Sequence, residues 1–479
     1  VPTHRVVHEL PFDSDRKRMT VVTLDPLGRE LAHVKGSADV LLPLCVGRHT
    51  SNGIEPMSDA ARRDILRVAE EYSRKGLRVL AIAHRELSAG RASGPDAHGL
   101  DSLEEELTFL GLVAMLDPPR DGVKGAVAEC QRAGVGVVMI TGDHPLTATA
   151  IASELGFWDE GALVVTGQDL TTMSDEALRE KAPHVRVFAR VTAEQKLRIV
   201  AAYKALGEVV AMTGDGVNDA PALREAHIGV ALGQSGTHVA REAADMVIAD
   251  DNFVTIVDAV REGRAIYRNI KKFIFFLLSA NAGLVVAVFV GSLLPRVEPL
   301  TPLMILWINL VTNGLPALAL GVDPPDARQM REPPRKTTEG LLGRREALGI
   351  GFVGLWMGLC ALAFFYLPYT ALASSAQCRA LAFSLLALCP LAHALNCRSP
   401  RESLFVAKPF LPKALVICIF LSAAIHSVSI LVPTLHPVFR TFPLTQSDVL
   451  WLGVLSLSIL PAVELMKWID RRTTWFGTT

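Results

Sequence analysis

Between Asp117 and about Val260 the chain alternates short β-branched runs with helical patterns. Strands are predicted at Gly136–Ile140, Arg186–Phe188, Val209–Met212, Ile228–Ala231 and Met246–Ile248. Helices are predicted between them at Val123–Ala133, Thr147–Leu155, Ala193–Leu206 and Pro221–Glu225. Strands spaced by crossover helices predict a parallel, doubly wound sheet. Ligands of such sheets sit at the carboxyl ends of the strands. Two of those ends open alike, with Thr141-Gly142-Asp143 and Thr213-Gly214-Asp215. Residues 1–116 read differently: strands at Val21–Leu24, Leu31–Lys35 and Val79–Ala83, an amphipathic helix at Ala60–Lys75, and a polar surface loop at Ala89–Ser102. No internal repeat or low-complexity tract is present.

The C-terminal half follows neither pattern. Phe273–Pro295, Pro299–Val322, Ala347–Cys378, Ala380–Cys397 and Ala414–Phe439 carry no charge, and Val449–Val463 forms a shorter apolar run between Asp448 and Glu464. A helix needs about 20 residues to cross roughly 30 Å of hydrocarbon, so six crossings of a lipid bilayer are expected. Arg261, Arg264, Arg268, Lys271 and Lys272 precede the first span. Arg328, Arg331, Arg335, Lys336, Arg344 and Arg345 follow the second; Arg398, Arg401, Lys408 and Lys413 follow the fourth; Lys467, Arg471 and Arg472 follow the sixth. The alternate loops hold only Arg296, Arg379 and Arg440. The positive-inside rule then places the soluble half and the C-terminus in the cytoplasm.

Composition supports this split. Half of the 479 residues are hydrophobic, and 71 of the 97 charged side chains lie before Phe273. A uniformly soluble enzyme and a disordered chain are both excluded. The net charge of −1 gives no electrostatic reason to expect nucleic acid as a partner. The seven cysteines are odd in number and form no Cys-x-x-Cys pair, so they read as buried thiols. The Cys389-Pro390 pair reads as a kink beside such a thiol, His393 and His426 as packed side chains, and Glu464 as a structural partner for Lys467.

The most specific string is Met212-Thr213-Gly214-Asp215-Gly216-Val217-Asn218-Asp219-Ala220-Pro221, after a strand and before a helix. Its carboxylates and amide suit Mg²⁺, which takes hard oxygen ligands. Its glycines let backbone approach a phosphate. Together with its flanking motifs, this string closely resembles the P-type ATPases, ion pumps that phosphorylate themselves on aspartate. The resemblance covers essentially the whole chain. Asp117-Pro118-Pro119-Arg120 is similar to the family's hinge into the phosphorylation domain. Phe188-Ala189-Arg190-Val191 with Lys196 resembles the segment that touches the phosphoryl group, and Ala249-Asp250-Asp251-Asn252-Phe253 the stretch before the fifth membrane helix.

The resemblance implies a fold of α/β plus membrane α. Residues 1–116 would be part of a nucleotide-binding domain, 117–260 a haloacid-dehalogenase-like doubly wound phosphorylation domain, and 261–479 six transmembrane helices, the family's fifth to tenth. It implies ATP and Mg²⁺ as cofactors and a transported cation as substrate. Thr141, Gly142, Asp143, Lys196, Asp215, Asn218 and Asp219 would form the catalytic set. Asp215 would hold Mg²⁺, Lys196 would neutralise phosphoryl oxygens, and Asp219 would orient Lys196 or stand behind the metal. Phe12, Lys17, Lys35, Gly36, Arg78 and Arg190 would bind the nucleotide, with Phe12 stacked on adenine. One aromatic with several cations suits a nucleotide on chemical grounds as well.

The family's catalytic aspartate belongs to an Asp-Lys-Thr-Gly-Thr motif, and this chain contains no Asp-Lys pair. The actuator domain and the first four membrane helices are also missing. The chain is therefore expected to be the C-terminal part of a longer protein, with the missing N-terminal region as its partner, and to be inactive alone. A membrane-tethered hydrolase would need a nucleophilic aspartate that is not visible here. A non-catalytic nucleotide-binding membrane scaffold is the other alternative.

Polar residues within a membrane are functional candidates. Asn281 lies in the first span, and Asn309, Thr312 and Asn313 lie in the second, where i, i+3, i+4 spacing predicts one shared helix face. Gly314 and Pro316 can break that helix and free carbonyls for an ion. The run Trp307–Ala317 closely resembles the sixth helix of calcium pumps of the endoplasmic-reticulum kind. Three departures stand against it. Leu284, Asn313 and Pro390 replace a glutamate, an aspartate and a glutamate of those pumps. Ca²⁺ takes six to eight oxygens, carboxylates usually among them. A two-calcium site is therefore not expected. One Ca²⁺ is the favoured substrate, with a carboxylate from the missing region, and a monovalent cation is the alternative.

Overall fold

The computed structural model describes residues 4–13, 16–87, 103–115, 118–295, 297, 300–336, 339–366, 374–399, 403–404 and 412–473. These fall into two compact units, Val1–Val257 and Asp258–Thr479. The loop Ala89–Ser102, Asp117 of the hinge motif, the boundary expected between 116 and 117, and Arg296, Arg401 and Lys408 lie outside the described residues.

The first unit begins with seven strands: β1 (Arg5–Asp13), β2 (Arg18–Leu24), β3 (Glu30–Gly36), β4 (Cys45–Thr50), β5 (Gly53–Pro56), β6 (Arg78–Leu87) and β7 (Leu107–Met115). They form one sheet in the order β1-β2-β3-β6-β7-β4-β5, antiparallel except where β4 meets β7. In β3 the residues Glu30, Ala32, Val34 and Gly36 are buried in alternation, the period of a strand with one face on the core. Short α1 (Ala38–Leu41) and long α2 (Asp59–Arg74) flank the sheet. The Ser58 hydroxyl starts α2 by accepting from the amide of Ala61 at 3.2 Å. The core of this part gathers Val34, Leu41, Leu42, Ala81 and Leu107.

Two three-stranded parallel sheets follow. One is β8 (Met139–Thr141), β9 (Leu163–Thr166) and β10 (Val185–Ala189), ordered β8-β10-β9; the other is β11 (Ala211–Gly214), β12 (Ile228–Leu232) and β13 (Met246–Ile248), in that order. The helices around them are α3 (Val123–Arg132), α4 (Pro145–Leu155), α5 (Gly167–Thr172), α6 (Asp175–Lys181), α7 (Ala193–Ala205), α8 (Ala220–Glu225) and α9 (His238–Ala243). The parallel pairing agrees with the alternating pattern. Three details differ. The strand expected at Gly136–Ile140 is only Met139–Thr141, because β10 offers partners there and no earlier. The strand expected at Val209–Met212 moves to Ala211–Gly214, the residues opposite Ile228–Ala231. Strand β9 is not among the strands expected, although Leu163-Val164-Val165-Thr166 is a β-branched run as long as others that were.

Strands β8 and β11 are both edges. Among the described residues each pairs on one side only. Ala211 and Thr213 of β11 are exposed, whereas the central β10 and β12 are mostly buried. Both edges still border one apolar cluster, since Ile140 packs against the group holding Met212 and Ala231.

The second unit is helical. It contains most of α10 (Phe253–Leu293), then α11 (Pro302–Trp307), α12 (Gly314–Gly321), α13 (Arg344–Ala363), α14 (Ser375–Cys397), α15 (Lys413–Leu431), α16 (His436–Phe439), α17 (Gln446–Leu457) and α18 (Ile459–Thr473). Among the described residues, six helical segments are long and apolar enough to cross a membrane. Helix α14 is buried nearly all round and forms the centre. Helices α10 and α13 meet at a small-residue seam. A Cβ on Gly354 would lie 2.4 Å from Cβ of Ala282, and one on Gly358 would lie 2.4 Å from Cγ1 of Val286. At one end, Asp323 joins three segments. Its carboxylate meets Lys272 at 2.6 Å and Arg398 at 3.5 Å, and its carbonyl accepts from Asn269 at 2.7 Å.

The seam makes a direct prediction. Gly354→Val is expected to destabilise the membrane unit by about 3 kcal/mol, the upper end for overpacking. Gly351→Ala, whose Cβ meets nothing within 4 Å, is expected to be neutral or slightly stabilising. Melting of the detergent-solubilised chain checks both, and equal midpoints for the two variants would refute the close contact.

Candidate functional site

The two related tetrapeptide starts stand at the carboxyl ends of β8 and β11. After β8 the Thr141 hydroxyl donates to the Asp143 carboxylate at 3.1 Å and accepts from the Asp143 amide at 3.1 Å, which folds Thr141-Gly142-Asp143 into a tight turn. After β11 the chain passes Asp215 into a short turn at Val217–Asp219. Asp219 is buried. One carboxylate oxygen accepts from Lys196 Nζ at 2.6 Å and the other from the Gly216 amide at 3.1 Å. A Cβ on Gly214 would come within 2.5 Å of Asp219 Cβ, so this approach requires glycine. Lys196 projects from the first turn of α7, which is fixed by a capping box between Thr192 and Gln195.

Asp215 and Asn218 are exposed, and among the described residues neither side chain has a hydrogen-bond partner. A free carboxylate beside a free amide offers hard oxygen donors, which fits Mg²⁺. Asp251 pins the loop that follows β12. Its carboxylate accepts from the amides of Gln234 at 3.0 Å and Ser235 at 2.7 Å, and Arg120 donates to its carbonyl. The Gln234 amide leads the groups that hold the Asp251 carboxyl at about 2, against the pull of burial.

The residues expected to bind nucleotide divide into two groups. Phe12 on β1 is 62% exposed. Lys17 is in the left-handed region, with φ 53°, in the turn before β2, and Lys35 is exposed on β3. Gly36 is buried against this turn: a Cβ there would lie 2.8 Å from the Lys17 carbonyl. The arginines are engaged instead. Arg78 at the start of β6 lies 3.8 Å from Asp143. Arg190, just after β10, donates to Asp39 at 2.7 and 3.3 Å and to the Ser37 hydroxyl at 3.0 Å. Burial alone would raise the Asp39 carboxyl, but Arg190 and the Ser37 hydroxyl outweigh it and hold it at about 2. This carboxylate was not singled out in the sequence, where it is one acid at the start of a four-residue helix.

The membrane residues correct one expectation. Thr312 and Asn313 are fully buried, but Asn309 is exposed, so the three do not share a face. Residues Ile308–Thr312 form a π-turn, in which the Asn313 amide donates to the Ile308 carbonyl at 2.9 Å. One extra residue per turn rotates Asn309 away. Pro316 has no N–H to offer the Thr312 carbonyl four residues back. Among the described residues, both polar atoms of the Asn313 side chain are buried without a hydrogen-bond partner, while the Thr312 hydroxyl donates to the Ile308 carbonyl at 2.8 Å. Asn281 on α10 is half-buried. Glu464 meets Lys467 at 3.1 Å. His393 and His426 are buried against Phe275 and Phe383.

Residues 2–122 match the family model described as the P-type ATPase cytoplasmic domain N, and residues 297–469 match the cation transporting ATPase C-terminus. The chain belongs to the P-type cation-transporting ATPases. Similar proteins include calcium-transporting ATPase 1 of Bacillus cereus, 43% identical over 97% of this chain and 53% of its own length. The calcium-transporting ATPase of Bacillus subtilis is 39% identical over 96% of this chain and 51% of its own. The endoplasmic-reticulum-type calcium-transporting ATPase 4 of Arabidopsis thaliana is 34% identical over 98% and 51%. The chain spans about half the length of the curated relatives it matches.

Proposed function

We propose that this chain acts as the C-terminal part of an ATP-driven cation pump, with Ca²⁺ as its substrate. The observation that supports the reading is that Thr141-Gly142-Asp143 and the Lys196–Asp219 pair each stand at the carboxyl end of an edge strand, and that both edges border one apolar cluster. A strand from the missing N-terminal region, carrying the phosphorylated aspartate, would pair with β8 and β11 and complete one doubly wound sheet. The exposed Ala211 and Thr213 are the positions that such a strand would cover.

Phosphoryl transfer depends on positioning and charge neutralisation. Lys196, held by Asp219, places a cation where phosphoryl oxygens gather. Asn218 offers amide donors, and Thr141 fixes the Gly142–Asp143 turn at the end of β8. Asp215 would hold Mg²⁺, which supplies electrostatic stabilisation of phosphate charge when bound. Phe12, Lys17, Lys35 and Gly36 would take the nucleotide, together with Arg78 and Arg190. In the membrane, Asn313, Thr312 and Asn281 would supply ion ligands, with the Thr312 carbonyl that Pro316 leaves free. Ca²⁺ is favoured because the similar proteins are named for it. A monovalent cation is the second reading, since the amides and hydroxyl here carry no charge.

The test uses the natively expressed protein, with its intact mass and N-terminal peptides determined first. A native mass well above the 51.7 kDa of this chain, an Asp-Lys-Thr-Gly-Thr peptide and a Ca²⁺-stimulated, acid-stable phosphoenzyme are expected. A phosphoenzyme stimulated by a monovalent cation would establish the second reading. Nucleotide binding with no phosphoenzyme under any cation would leave a non-catalytic scaffold.

A further inference from the structure

Arg190 adopts a left-handed backbone, φ 52°, which is costly for a residue with a side chain. Its guanidinium reaches into the front of the molecule. There it grips both oxygens of Asp39 at 2.7 and 3.3 Å and the Ser37 hydroxyl at 3.0 Å. Ser37 and Asp39 directly follow Lys35 and Gly36, two residues read here as nucleotide ligands. A carboxylate thus fills the planar fork of an arginine that the same reading gives to the nucleotide, and such forks hold carboxylate and phosphate interchangeably. Beside this pair, Thr147 at the start of α4 donates to the Leu77 carbonyl at 3.2 Å. The ion pair therefore sits on a seam where residues from before 116 meet residues from after 118.

We propose that Asp39 competes with the nucleotide for Arg190, so that nucleotide binding releases the grip of Arg190 on the Ser37–Asp39 turn. Asp39 lowers nucleotide affinity, and the ion pair couples occupancy of the pocket to the seam. This rests on the reading of Arg190 as a nucleotide ligand.

The experiment titrates MgATP into the full detergent-solubilised chain by calorimetry and follows hydrogen exchange at Ser37–Val40. Asp39→Asn is expected to bind MgATP about two- to fivefold tighter, the scale of a part-exposed ion pair. Asp39→Glu keeps the pair and is expected to match the parent. Ser37→Ala, which removes the weaker contact, is expected to shift affinity the same way by less. MgATP is expected to speed exchange at Ser37–Val40 in the parent and to have little effect in Asp39→Asn. Phe12→Ala tests the underlying reading and is expected to lose about tenfold in affinity. If Phe12→Ala loses affinity while Asp39→Asn, melting like the parent, binds equally or more weakly, the competition is refuted and the pair is a brace. If Phe12→Ala binds as tightly as the parent, the nucleotide reading itself fails, and the proposal with it.

Discussion

Lys196→Met is expected to cost the Val1–Val257 unit about 3 kcal/mol, the low end for breaking a buried ion pair. Asp219 is the reason. Its side chain is 6% exposed and would keep only the Gly216 amide as a partner. At this unit's size such a loss lowers the melting midpoint by roughly 6–12 °C. The reverse change, Asp219→Asn, is expected to cost only about 1 kcal/mol. Lys196 is 19% exposed and can turn its ammonium to water, and the amide oxygen can still accept from Gly216. The order of the two variants is the test. If Asp219→Asn were the more harmful, Lys196 rather than Asp219 would be the group the fold must satisfy, and the account of Asp219 as the buried charge that depends on Lys196 would be refuted.

Asn313→Leu is expected to separate stability from transport. The two side-chain polar atoms of Asn313 are buried without partners, and each such group costs about 1–3 kcal/mol. Leucine has nearly the same shape and no polar atoms, so the variant is expected to gain about 1–2 kcal/mol. If the proposed function holds, the same change in the full-length protein is expected to abolish Ca²⁺-stimulated phosphoenzyme and the rise in melting midpoint that a bound ion gives. Melting with and without Ca²⁺, followed by phosphorylation, reads both effects. A destabilised variant that still responds to Ca²⁺ would make Asn313 a packing residue. Asn309→Leu is a useful contrast. It is an exposed residue of the π-turn, so no comparable gain in stability is expected.

Much of this was legible in the residues. Alternating β-branched and helical patterns were enough for a parallel α/β unit, since pairing in such sheets follows local period and crossover length. Charge-free runs of about 20 residues were enough for six membrane segments. The Met212–Pro221 string marked the strand end where Asp219 and Gly214 now meet. Strand β9 lies outside the strands expected although its β-branched run resembles theirs, and β8 is shorter than expected because its length depends on what β10 offers.

The sequence by itself therefore determined the family, the two halves of the chain, and the Thr-Gly-Asp strings that end β8 and β11, because these depend on contiguous residues and on hydrophobicity averaged over tens of positions. Only the tertiary structure decided which side chains satisfy one another. The bond between Asn313 and Ile308 opened the helix by one residue and turned Asn309 outward, against the spacing. The fold also brought Asp39 onto Arg190, 151 residues away, and among the described residues left β8 and β11 each without a second partner. Those outcomes turn on ångström-scale approach between distant segments, which no local pattern encodes.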